Sequence, residues 1–219
     1  MPVDAPGTPK LIEVTDARSD LFEAAMAIYE AEIPKAEQKT RAQVLASLAH
    51  PDVRFWAYVR GGDVIGVSIV YAPRREGVML LEYLAIAARA QGGGIGSLLF
   101  TASFEASRID PGTLLLIEVD SEDGDVDAAE RAVRLKRKQF YRRLGCREVA
   151  GFDYILPLEN YGPAPKMNLL VLGMEEDRLE TARLKQAVRA IYHNVYACAP
   201  DDQRLAAMFA GLGEALQLV

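Results

Sequence analysis

Cysteine is scarce in this chain. Only Cys146 and Cys198 occur in 219 residues, far apart in sequence. Two such thiols build neither a disulfide framework nor a Cys/His cluster with zinc-ligand spacing, so no metal is expected. Long apolar runs are missing as well. No stretch approaches the roughly 20 apolar residues that span a bilayer. The opening Met1-Pro2-Val3-Asp4-Ala5-Pro6-Gly7 carries no basic segment followed by an apolar one. These absences predict a cytoplasmic protein with reduced thiols and no membrane partner. Positive charge is in deficit: 25 Lys and Arg stand against 31 Asp and Glu, for a net charge of −6. A phosphate-backbone binder is normally basic, so no nucleic-acid partner is expected. Half of the residues are hydrophobic, enough for a full core without staples.

The pattern that is present alternates strands and helices. Residues 1–9 read as a flexible leader with three prolines. Leu11 to Val14 reads as a strand. Asp16 or Ser19 can cap a helix bearing Leu21, Phe22, Ala25, Met26, Ile28, Tyr29 and Ile33, interrupted by Pro34. Thr40-Arg41-Ala42-Gln43 fits a capping box, and Pro51 ends that second helix. Val53 to Arg60 and Asp63 to Tyr71 form a hairpin around Gly61-Gly62. Val78 to Ile86 is a buried strand, apolar except for Glu82. A helix follows, with Ile95, Leu98, Leu99, Ala102 and Ala106 on one face. Leu114 to Val119 is a buried strand holding one acid, Glu118. Asp127 to Leu144 is helical and stops at Gly145. Glu148 to Leu156 and Met167 to Leu172 read as strands, joined by an irregular Pro157 to Pro165. Two helical stripes close the chain, one through Leu184, Ala187, Val188, Ile191 and Val195, the other through Leu205, Met208, Phe209, Leu212 and Leu216. This order predicts an α/β (α+β) fold with a mixed sheet of about seven strands.

Gln91-Gly92-Gly93-Gly94-Ile95-Gly96-Ser97 joins a strand to a helix. Such a turn leaves amide N–H groups unpaired at the positive end of a helix dipole, a ready site for phosphate. A triphosphate loop requires Gly-Lys-Ser/Thr, and no lysine follows these glycines. A dinucleotide fingerprint requires GxGxxG. From Gly92 its third glycine falls on Ser97, and from Gly94 on Leu99.

Gln91, Gly94 and Gly96 match in register the Gln/Arg-x-x-Gly-x-Gly/Ala loop of the GCN5-related N-acetyltransferases, the GNAT superfamily. Downstream, Phe140-Tyr141-Arg142-Arg143-Leu144-Gly145-Cys146 resembles that family's F-Y-x-x-x-G-F helix end. The resemblance covers roughly residues 10–172 in element order. The chain departs from the family pattern at Ala88, where a proline is usual, at Arg134 and Arg137, and at Cys146, where an aromatic is usual. Residues 173–219 go beyond the minimal fold, as a C-terminal helical extension.

What the resemblance implies is a GNAT fold with helices on both faces of the sheet, in an acetyl-CoA-dependent N-acyltransferase. Leu84, Ala85 and Ile86 would lie along the pantetheine, and Gln91, Gly92, Gly93, Gly94, Ile95, Gly96 and Ser97 would hold the pyrophosphate. Tyr141 is the candidate general acid for the departing thiolate; its bland reading is a tyrosine packed at a helix end. Glu82 is the leading candidate base, since burial would raise its pKa, and Glu118 is the second. Either acts directly or through water, or else pairs with a helix arginine. The acceptor is a small-molecule or peptide amine, and Glu32 and Glu37 could line its entrance. A non-catalytic acyl-CoA sensor or assembly module on the same fold is the alternative. The basic run from Arg131 to Arg143 reads as a solvated helix face. The tail helices could pack on the domain, cap the acceptor cleft or build a homodimer, with Tyr192 and Tyr196 on a shared surface.

Overall fold

The computed structural model describes residues 7–108, 110–123, 126–157 and 166–219. Most of the irregular Pro157 to Pro165 segment and part of the acidic loop lie outside the described residues. The chain forms two compact units, Met1–Arg74 with Leu81–Ile109, and Arg75–Leu80 with Asp110–Val219.

The first unit begins with β1 (Lys10–Glu13), which pairs antiparallel with β2 (Val53–Arg60). Helix α1 (Asp20–Glu32) starts at Ser19, whose hydroxyl accepts the Phe22 N–H, and stops at Ile33 before Pro34. Helix α2 (Arg41–Ala49) opens on the expected capping box, with Thr40 and Gln43 bonding each other's backbone amides. Strand β3 (Asp63–Tyr71) returns antiparallel on β2 across Gly61-Gly62, both with positive φ. Strand β4 (Val78–Ile86) follows, and then α3 (Ile95–Ser107).

Two apolar layers flank these strands. On one face, Phe22, Ala25, Met26 and Tyr29 of α1 and Val44 of α2 pack with Tyr83, Ala85 and Ala87. On the other, Ile95 and Leu99 of α3 pack with Leu84 and Ile86. From Tyr83 to Ile86 the side chains of β4 therefore alternate as the pleat requires, odd residues toward α1 and even residues toward α3. Gly66 permits the close packing here: a Cβ on it would sit 2.7 Å from Ile86 Cδ1 and 3.1 Å from the Ala85 carbonyl. Helix α3 sits differently from its expected face. Ile95, Leu99, Phe100, Ser103 and Phe104 are buried, while Leu98 is 51% exposed. The two phenylalanines, absent from the expected stripe, decide the rotation.

The second unit is built on β5 (Leu114–Asp120), which runs parallel to β4 over three rungs, Val78–Leu80 on Leu114–Leu116. Leu84, Ala85 and Ile86 lie beyond that ladder. Helix α4 (Ala128–Arg143) is capped by Asp127 and closes at Gly145 with φ 88°. The expected strand from Glu148 to Leu156 is two short ones, β6 (Arg147–Glu148) and β7 (Tyr154–Ile155), both on β8 (Lys166–Leu172). Gly151, in the left-handed region, turns the chain between them. Strand β8 lies antiparallel on β5, and the full path is β1-β2-β3-β4-β5-β8-β6 with β7 also on β8. This is a mixed sheet of eight strands.

The tail is not purely helical. Strand β9 (Arg178–Glu180) leads into α5 (Thr181–Asn194) and α6 (Gln203–Phe209), and β10 (Ala215–Gln217) returns on β9. The first expected stripe is helix α5, with Leu184, Ala187, Val188 and Ile191 buried. The second is helical only through Phe209, and Leu216 belongs to a strand. The last residues tie back to β6: Glu148 and Val219 exchange N–H···O bonds at 2.9 and 3.0 Å. No helix among the described residues is long and apolar enough to cross a membrane.

Candidate functional site

The glycine turn starts where β4 ends. Ala88–Ala90 make one 3-10 turn, Gln91 is extended, and α3 begins at Ile95. In between, Gly92, Gly93 and Gly94 have φ of 87°, 58° and 77°. Three successive left-handed residues favour glycine, since a Cβ there adds about 1–2 kcal/mol each. A Cβ built on any of the three would meet nothing within 4 Å. Backbone conformation, not crowding, selects glycine here, and that side of the turn is open. Ile95 N–H reaches Gly92 O at 3.4 Å and Leu98 N–H reaches Gly94 O at 3.1 Å. Among the described residues, the amides of Gly92, Gly93, Gly94, Gly96 and Ser97 meet no acceptor. The arrangement is a cradle of donors at a helix N-terminus, a setting that favours an anion.

Glu32 braces the approach to this cradle. Its carboxylate accepts the Ala88 N–H at 2.8 Å and the Gln91 amide NH2 at 2.9 Å. Gln91 also donates to Ile86 O at 3.1 Å, so its side chain is turned toward the protein. A cleft of about 810 Å³ runs along α1 past Ala24, Ala27, Glu32, Asp63 and Arg89. Glu82 and the glycines of the turn are not part of its lining.

Glu82 on β4 is nearly sealed, its side chain 4% exposed, and it forms a short ion pair with Lys39 Nζ. The arginine considered for it is absent from this contact; a lysine from the segment before α2 takes that place. Lys39 is itself held at several points. Its N–H donates to Tyr29 Oη at 2.7 Å, its ammonium approaches Ser47 Oγ at 3.4 Å, and the Tyr83 ring lies 6.0 Å from it. Tyr83 donates to Glu37 O at 3.0 Å and meets Tyr29 edge-on at 5.0 Å. Burial pushes both phenols above their ordinary pKa, so both remain neutral. Glu37 thus enters through its backbone carbonyl.

Glu118 on β5 lies in the second unit. Its two carboxylate oxygens accept short hydrogen bonds from Tyr154 and Tyr196. Burial, and next the Glu118 charge, hold the Tyr154 phenol well above the usual tyrosine range. Tyr196 arrives from the end of α5, where Ala197 adopts φ 54°. Tyr192, four residues earlier, is fully buried and donates to Ile155 O. Both tail tyrosines therefore point into their own unit. Tyr141 is also in the second unit, buried at 9% exposure, with burial raising its phenol to about 12. Cys146 is buried and its thiol is pushed up to about 12 by the same cause, so it stays an inert thiol. Of the basic run on α4, Arg137 pairs with Asp120 at 3.1 Å, and Lys138 pairs with both Glu122 and Glu148 at 2.7 Å.

The sequence does not mark Lys39 or Tyr154, and it marks Tyr196 only for a surface shared with Tyr192. Each meets its acid across 36 to 78 residues of chain. The one available signal was negative: a lone acid in an apolar strand demands a buried partner.

The chain was compared with known proteins. Residues 18–145 match the model of the acetyltransferase (GNAT) family. No curated protein matches. Among solved structures, a Bacteroides thetaiotaomicron protein assigned to the GNAT acetyltransferases aligns at TM-score 0.69 and 16% identity, covering 87% of this chain and 99% of that one. Aminoglycoside 6′-N-acetyltransferase complexed with coenzyme A aligns at 0.54 and 15%, covering 74% and 95%. Arabidopsis thaliana Naa50 in complex with the bisubstrate analogue CoA-Ac-MVNAL aligns at 0.52 and 14%, covering 76% and 99%.

Proposed function

Because the chain belongs to the acetyltransferase (GNAT) family, we propose that it moves an acetyl group from acetyl-CoA to a primary amine, by direct attack of the amine on the thioester. The observation that carries this reading is the glycine turn with its five unengaged amides. The N–H groups of Gly92 to Ser97 would hold the pyrophosphate, with Gln91, braced by Glu32, setting the entry of the turn. Leu84, Ala85 and Ile86 would offer β4 backbone to the pantetheine amides. The two fold neighbours solved with coenzyme A or a CoA-containing analogue support this ligand. When bound, the donor supplies a thioester carbonyl open to nucleophiles.

Within the chain, Glu82 accepts the proton that the acceptor ammonium must lose. That it pairs with the alkylammonium of Lys39 supports the role, since an acceptor amine presents the same group. Tyr141, with its pKa raised to about 12, keeps its proton at neutral pH and can donate it to the departing sulfur. Glu118, already held by two phenols, is the second candidate base. The acceptor is a small molecule or a peptide amine: one fold neighbour is named for an aminoglycoside and another was solved with CoA-Ac-MVNAL.

The test is thiol release from acetyl-CoA across a panel of primary amines. Amine-dependent release is expected, falling about a hundredfold in Tyr141→Phe with donor affinity unchanged. Binding of acetyl-CoA with no release to any amine would instead make the chain a non-catalytic acyl-CoA module.

A further inference from the structure

Lys39 Nζ meets the Glu82 carboxylate in a short ion pair, with Ser47 Oγ of α2 at 3.4 Å and the Tyr83 ring at 6.0 Å. Lys39 comes from the segment just ahead of α2, where its backbone amide is fixed by Tyr29. Glu82 stands two residues ahead of Leu84 on β4, the strand whose backbone would serve the pantetheine. Lys39 Nζ is thus a primary amine resting on the candidate base at the candidate donor strand, its side chain still 23% exposed.

We propose that Lys39 is itself an acetyl acceptor, so that the protein acetylates its own Lys39 from acetyl-CoA. This rests on the acyl-donor reading given above. Glu82 takes a proton from the Lys39 ammonium. The neutral amine then forms a bond to the acetyl carbonyl carbon, and the carbon–sulfur bond breaks. The thiolate takes one proton and leaves as free CoA thiol, and one proton in all is released for each ammonium converted to amide. No oxidant or further reactant is required. The ion pair holds nitrogen and base together before the donor arrives, so the step gains the advantage of an intramolecular reaction. Acetylation also removes the cation from Glu82, leaving the carboxylate open to a solvent-borne amine.

The test incubates the intact protein with acetyl-CoA and follows acetyl incorporation by whole-protein and peptide mass spectrometry. Lys39 should gain one acetyl group at least about tenfold faster than any other lysine in the chain. The rate per molecule should not change on dilution, as an intramolecular step requires. Lys39→Arg keeps the cation on Glu82 but offers no comparable nucleophile, and should abolish the label with the melting temperature preserved. Glu82→Gln should slow it about a hundredfold. A readout that needs no donor is reductive methylation of the free protein with formaldehyde and borohydride, in which Glu82→Gln should change the rate at Lys39 and at no other lysine. Calorimetry with CoA separates the two ideas. If CoA binds and Lys39 labels no faster than the other lysines, the inference fails and the donor reading stands. If CoA does not bind, both fail.

Discussion

Glu82 and Glu118 each lie within an apolar strand, yet the two units hold them in opposite ways. In the first unit a cation, Lys39, neutralises Glu82. In the second unit two neutral phenols, Tyr154 and Tyr196, donate to Glu118. A cation compensates the charge of a buried carboxylate and is exchangeable for another cation. Phenols stabilise the charge by hydrogen bonding alone, and burial keeps the proton of Tyr154 in place. The first arrangement resembles a base with an ammonium already seated on it. The second resembles a structural clamp that joins β5, β7 and the end of α5.

The largest expected effect is on turnover. Glu82→Gln should lower kcat/KM for an amine acceptor about a thousandfold, while Glu118→Gln should lower it less than about tenfold. Rates in the reverse order would exchange the roles of the two acids. Stability should separate the two partners next. Lys39→Ala leaves Glu82 buried without its cation and should destabilise by about 3 kcal/mol in urea melts. Tyr196→Phe removes one of two donors to Glu118 and should destabilise by about 1–2 kcal/mol. Equal losses would mean that the cation contributes no more than a phenol.

The phenol clamp also predicts an alkaline limit. An unfolded tyrosine loses its proton near about pH 10, while Tyr154 in the fold holds its proton to a higher pH. Its contribution is therefore complete below about pH 10 and is lost as pH rises toward the folded value. Thermal melts between neutral and strongly alkaline pH should show this fall, and Tyr154→Phe should make it shallower. An unchanged slope would place the alkaline sensitivity elsewhere. The smallest effect concerns the turn that presents Tyr196. Ala197, at φ 54°, sits where glycine is favoured. Ala197→Gly should stabilise by about 1 kcal/mol with Tyr196 still on Glu118.

Elements framed by strong local signals were legible in the sequence. Gly61-Gly62 fixed both ends of the β2–β3 hairpin, Thr40 and Gln43 the start of α2, and Gly145 the end of α4, because each signal acts within four residues. The glycine turn was legible for the same reason, and the structure adds that Gly92, Gly93 and Gly94 all take positive φ. Where the chain alternates without a local stop, the reading ran on: the turn at Gly151 splits one expected strand in two. Leu216 fitted a helical stripe but pairs with Leu179 in a strand, since a partner 37 residues away outweighs periodicity. The acids were legible as candidates and their partners were not. Nothing near Lys39 marks it as the ion that reaches Glu82, and Tyr196 meets Glu118 only because the tail folds back.

The central claim is that the turn from Gly92 to Ser97 holds the diphosphate of an acyl-CoA. Its most direct test is a calorimetric titration of acetyl-CoA into the native protein and into Gly94→Val, with both proteins shown folded by circular dichroism. Native binding with one donor per chain, lost in the valine variant, is the predicted result. Binding of equal affinity by both proteins, or by neither at millimolar acetyl-CoA, would contradict it.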